Sequence, residues 1–234
     1  MKNLVFQIFI LIFIFFVSLT SIYSGTIIEQ SEGSSNFDKI ITTIVYFSAN
    51  NMRTDDPENK ATTISLLGED IGYYISHKKK SYLKYKLSER FKNLSNTQMK
   101  DNENNHEELP PKRKIDIKKT DEKKTINGFK VVKINIMANN ELIEEDWVTN
   151  DMDMTEVKNI IEKLKKQNPN VQYQNSEEYE ITKAIENYGF PILSKRYSIF
   201  LDEKVEDFIE IKKIEKKNLK NNVFAPPSEY KEVK

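Results

Sequence analysis

Apolar residues in this chain are crowded into its first two dozen positions, and that placement limits what the rest can fold into. Seventeen of residues 1–24 are apolar, fourteen of them in a run from Leu4 to Leu19 broken only by Gln7 and Ser18. The whole chain is 38% hydrophobic, but beyond residue 24 the fraction is about 34%. Globular domains usually reach ~45–50% with glycine counted. A chain this lean cannot fill a thick core or bury a sheet on both faces. It fits an antiparallel sheet with one apolar and one wet face, and residues 25–234 suit a single domain.

The leader itself has the layout of a signal peptide. Lys2 gives a cationic start, an apolar core follows, and Ser24 stands where a peptidase could cut. As a helix, its roughly 16 residues would rise about 24 Å, short of the ~30 Å of a bilayer core. The expectation is therefore an exported protein, periplasmic or extracellular, with residues 1–24 removed. An uncleaved amino-terminal membrane anchor is the alternative. The chain has no cysteine, which excludes disulfides, zinc–thiolate sites and a lipidated cysteine at the cleavage point.

Strand signals follow. Thr26–Gln30, Ile40–Ser48, Thr62–Leu67 and Gly72–Leu87 are rich in Ile, Val, Thr and Tyr. Asn50-Asn51, Asp55-Asp56-Pro57 and Gly68-Glu69-Asp70 separate them as turns. Residues 93–112 are polar with a Pro-Pro near the end, and read as a mobile loop inside the domain. Strands resume at Lys114–Lys118. Gly128–Thr149 reads as a hairpin turning at Asn139-Asn140. Val132, Ile134 and Ile136 share one face of its first strand; Trp147 lies on the second, a residue type that anchors a core or rim.

Two amphipathic helices are expected next, Met154–Lys166 and Glu177–Tyr188. Asp153 caps the first with Glu156 reaching back, and Gly189 closes the second. A last hairpin, Ile192–Leu201 with Lys204–Ile214, leads into a tail ending Phe224…Pro227…Tyr230.

Chemistry is sparse. His77 and His106 are the only histidines, and neither has a metal-spaced partner, so both read as surface residues. Six glycines leave little room for phosphate cradles, and no nucleophile elbow or nucleotide-binding loop is present. Thirty-six basic and 36 acidic residues cancel, so no net field draws nucleic acid. The reading is a protein with no catalytic residues, metal or cofactor.

Four segments in order carry a resemblance. They are Thr120…Thr125-Ile126-Asn127-Gly128-Phe129-Lys130, Trp147-Val148-Thr149, Gly189-Phe190-Pro191-Ile192 and Phe224-x-x-Pro227-x-x-Tyr230. Over roughly residues 40–231 the chain resembles a family of exported bacterial proteins of unknown function. Such families are similar to the periplasmic lipoprotein-carrier (LolA-like) architecture. That likeness implies an α+β fold, a curved antiparallel sheet forming an incomplete barrel, with two or more helices on its concave or open side. It also implies binding of an apolar ligand such as a lipid, acyl chain or lipidated partner, with transient approach to a membrane. Candidate lining residues are Val132, Ile134, Ile136, Trp147, Ile161 and Ile185. The competing expectation is an envelope scaffold or interaction module with a packed core and no ligand.

Expressed from its full sequence in a secreting host, the protein should be recovered outside the cytoplasm. Its intact mass should correspond to a chain beginning at Gly25; a full-length mass in the membrane fraction would establish the anchor instead.

Overall fold

The computed structural model describes residues 22–93, 113–167, 177–200 and 203–233. The expected loop at 93–112 therefore falls almost wholly outside the described residues, as do the leader up to Ser21, the Asn168-Pro169 helix stop and His106.

Among the described residues, twelve strands form one sheet in the order β12-β6-β5-β4-β3-β2-β1-β11-β10-β9-β8-β7. A first meander comprises β1 (Ile22–Ser34), β2 (Phe37–Ser48), β3 (Asn51–Asp56), β4 (Ala61–Leu66), β5 (Ile71–Ser76) and β6 (Ser81–Lys86). Residues 87–93 are helical (α1). The second half comprises β7 (Ile115–Ile126), β8 (Phe129–Ala138), β9 (Glu141–Thr149), helices α2 (Thr155–Gln167) and α3 (Glu177–Ile185), β10 (Phe190–Phe200) and β11 (Glu203–Lys220). A 3₁₀ turn at Asn221–Phe224 and β12 (Lys231–Val233) finish the chain. Among the described residues every pairing is antiparallel except β12 with β6. The end strands β7 and β12 do not pair with each other, so the barrel is incomplete.

Turn chemistry explains the hairpins. Asn139 and Asn140 both have positive φ (50° and 70°), as do Asn127 and Gly128 (49° and 87°). Such two-residue turns match the right-handed twist of the strands they join. Two expectations are corrected here. Asp55 and Asp56 end a strand, β3, which the sequence hides because its residues (Asn51-Met52-Arg53-Thr54-Asp55-Asp56) have almost no apolar content. Gly72–Leu87 is two strands and the start of a helix, with a tight turn between Ser76 and Ser81 and positive φ at Lys80.

The helices cover one face of the sheet. Val157 and Ile160 of α2 are buried with Ile28, Val45 and Phe47 of β1 and β2. Ile181 and Ile185 of α3 are buried with Ile134, Ile136 and Val148 of β8 and β9. Asp153 does cap α2, accepting from the Thr155 N–H at 3.0 Å. Glu156, however, does not reach back to it. Its carboxylate accepts from Thr26 Oγ1 (3.3 Å) and the Ala49 N–H (3.2 Å), and so pins the helix to the sheet.

The expected wet face is wet only in part. On the side away from α2, cross-strand neighbours Ile27, Tyr46, Arg53, Ile64 and Tyr73 form one row across five strands. Over this row lies the carboxyl-terminal segment, with Leu219, Phe224 and Tyr230 packed into a small second core. Arg53 Nη1 donates to the Val223 carbonyl at 2.8 Å.

His77 is part of the same closure and is half-buried, which corrects its reading as a free surface residue. Thr62 Oγ1 donates to Asp55 Oδ1 (2.6 Å), so it must accept from His77 Nε2–H (2.9 Å). Nδ1 is then left to accept from the Tyr230 hydroxyl (3.1 Å). The network thereby assigns the tautomer.

Tyr230→Phe should cost about 1 kcal/mol by removing that hydrogen bond, read as a lower midpoint in chemical denaturation. Ile160→Ala, at a fully buried position, should cost roughly 2–5 kcal/mol.

Candidate binding cavity

The helices do not fill the space above the sheet. Between α2, α3 and the strands β1, β2, β9, β10 and β11 lies a cavity of about 750 Å³. That is within the ~300–1,000 Å³ range of small-molecule sites. Its existence follows from where the helices anchor. One packs on β1 and β2 and the other on β8 and β9, and the stretches of β10 and β11 around Ser194–Arg196 and Asp207–Ile209 lie open between them. Ion pairs tie the helices together at its edge, Lys183–Glu162 at 2.9 Å and Lys165–Glu186 at 3.9 Å.

Much of the wall is apolar: Ile41, Ile161, Ile185, Phe190, Phe208 and Ile209. At the mouth Phe37 is 72% exposed and Ile209 46%. Gly189 lines the cavity with φ +146°, and a Cβ there would meet the Thr149 carbonyl oxygen at 2.6 Å. That close approach lets the chain leave α3 and enter β10 directly beneath the helix. The Gly189-Phe190-Pro191 segment is thus part of the cavity wall.

The floor is polar. Glu144 and Asp146 of β9 project on the helix side, opposite Arg196 and Ser194 of β10. Both carboxyl groups are buried. Arg196 Nε donates to Glu144 Oε2 at 3.1 Å, yet burial still lifts the Glu144 pKa above its usual value. Asp146 is pushed up to about 7, first by burial and then by the neighbouring Glu144 charge. Its Oδ1 is buried without a hydrogen-bond partner.

Of the sequence candidates, the structure brings Ile161 and Ile185 together on the cavity wall. Ile134 and Ile136 lie on the same face but are sealed beneath α3, fully buried. Val132 opens onto a different groove with Lys123, Lys124 and Tyr188. Trp147 pairs with Lys133 rather than Ile134, so it lies on the opposite side of β9 from Asp146, and it is buried in the core that contains Val157 and Ile160 of α2. There Lys124 Nζ stands 3.7 Å from the ring centroid. Sequence reasoning missed the floor, Glu144, Asp146, Ser194 and Arg196. The only signal was period-two placement of acids opposite Trp147, which reads as a solvated face. Among the described residues, no group of three or more His, Asp or Glu is placed to hold a metal ion.

The family model for DUF4412, a domain of unknown function, matches residues 31–230. The chain belongs to this family. No curated protein matches it. Among solved structures it is similar to an uncharacterized conserved protein from Thermus thermophilus. That likeness has a TM-score of 0.44 and 9% identity and covers 90% of each chain. It is also similar to a putative outer membrane lipoprotein-sorting protein domain from Vibrio parahaemolyticus. There the TM-score is 0.28 and identity 8%, over 86% of this chain and 88% of that one. At these scores the likenesses assign this DUF4412 member neither ligand nor activity.

The raised Asp146 pKa has a thermodynamic consequence. Well below an unfolded pKa near 3.8 both states are protonated. Between there and about 7 the folded state holds a proton that the unfolded state has lost, so stability falls as pH rises. Relative to Asp146→Asn, the protein should lose about 3 kcal/mol between pH 4 and pH 7, measured by denaturant titration at each pH. A flat difference would show that folding does not raise the Asp146 pKa.

Proposed function

We propose that this protein is a non-catalytic envelope carrier that holds an apolar ligand, such as a lipid, an acyl chain or a lipidated partner, between its helices and its curved sheet. The observation that carries this reading is the 750 Å³ cavity with Ile41, Ile161, Phe190 and Phe208 on its wall. A packed scaffold has no use for such a space. Large unfilled apolar cavities cost stability in proportion to their volume, and a bound ligand offsets that cost. The open mouth, with Phe37 and Ile209 exposed, provides an entry path. Among the described residues no helix is long and apolar enough to cross a membrane. Export through the amino-terminal leader would place the cavity where lipids and lipidated proteins are handled.

Protein purified from cells without detergent should carry co-purifying lipid in native mass spectrometry. It should also take up a neutral environment-sensitive naphthalene dye. Ile161→Trp, which fills the cavity from the α2 side, should weaken dye uptake at least tenfold while the circular dichroism spectrum is kept. Clean apo protein that takes up no dye would favour the scaffold reading.

A further inference from the structure

An all-apolar cavity would accept any greasy chain, but this one has a charged floor. Asp146 is 1% exposed and lines the cavity. Its carboxyl is hydrogen-bonded to Ser194, but Oδ1 has no partner, and a buried acceptor left unpaired is destabilising. Glu144 shares that floor, and its charge is met by Arg196 at 3.1 Å. The Arg196 guanidinium is drawn further outward by Glu178 of α3, 4.0 Å away.

The remaining charges on the wall do not redress the balance. On α2, Lys165 is paired with Glu162 and Glu186, and Lys158 is the other cation of that helix lining the space. On β2, Lys39 pairs with Glu58 at 2.7 Å. Glu32 of β1 and Asp207 of β11 line the cavity as well. β8 presents only Ile134 beside Asp146. Carboxylates are thus in excess, and the deepest of them keeps one buried oxygen, Oδ1, unpaired.

The geometry points to a ligand with a cationic, hydrogen-bond-donating head, such as a primary amine at the end of an apolar chain, whose N–H groups are accepted by Asp146 on the cavity floor. This rests on the carrier reading and narrows it to a ligand class. A carboxylate-headed chain would place its charge against Asp146 and Glu144. An amine head satisfies the open acceptor in a site where a charge-assisted bond is strong. Because burial pushes the Asp146 pKa up to about 7, the preference strengthens as pH rises through that value and fades below it.

Displacement of the neutral dye by decylammonium, decanoate and decanol, each below its micellar concentration, tests this. At pH 8 decylammonium should bind at least tenfold more tightly than the other two. At pH 5.5 the margin should shrink below threefold. Asp146→Asn at pH 8 should bind all three chains with the same small margin, whereas Glu69→Gln, altering a charge in the exposed turn between β4 and β5 and away from the cavity, should keep the wild-type preference within twofold. Equal or tighter binding of decanoate, or a preference retained in Asp146→Asn, overturns the amine-head assignment and leaves the carrier reading intact. A protein that does not bind the dye at all overturns both.

Discussion

The fold depends on the ladder between β1 and β11. Thirteen residues of β1, Ile22–Ser34, pair with β11 from Lys220 back to Asp207. Among the described residues this is the only seam between β1–β6 and the β7–β11 half, and it joins residues nearly two hundred positions apart. Loop closure over that distance must come before its reward, so the pairing belongs late in folding. Gly25 is part of the seam, where a Cβ would run into the Leu219 side chain and the Phe47 carbonyl. Cleavage after Ser24 would remove three paired residues from the seam's end and leave ten in register.

Once the seam sets the two halves side by side, the cavity follows from a shortage of apolar residues. Each helix spends its few isoleucines and valines on its own half, α2 on β1–β2 and α3 on β8–β9. The apolar residues of the strip between them, Phe190, Phe208 and Ile209, line the space without filling it. The strip is therefore open above and carries polar groups below. Glu144, Asp146, Ser194 and Arg196 all come from the two strands that neither helix covers fully.

Local features are legible in the sequence where one residue decides the outcome. The Asn139-Asn140 turn and the Asp153 cap are of this kind, and so are the faces of α2 and α3; the end of α3 is not, since the helix stops at Ile185 and Gly189 follows a turn with φ +146° rather than capping it in the left-handed form. Features that need partners far away in the chain are not. β3 reads as a turn because it is held by neighbours on both sides rather than by its own apolar residues. His77 looks like a surface residue until Tyr230, 153 positions later, is brought to it. For the candidate lining residues, alternation identifies the face shared by Ile134 and Ile136 but not what covers it. Only the helix positions show that Ile161 and Ile185 border open space while their neighbours are sealed.

The polar floor is where local and global rules conflict, and the conflict points to use. Period-two patterning places Glu144 and Asp146 opposite Trp147, which would be a solvated face if α3 lay elsewhere. With α3 in place, two acids are buried beside one arginine, and that arginine bonds only Glu144. Replacing Asp146 by valine or isoleucine would extend the Ile134–Val148 core and remove a buried unpaired acceptor, so stability alone does not explain an acid there. Natural sequences tolerate such local violations chiefly at functional sites. The carboxyl group is kept at the bottom of a cavity that a ligand can enter, at a cost in stability that grows with pH, and binding is the event that would offset it.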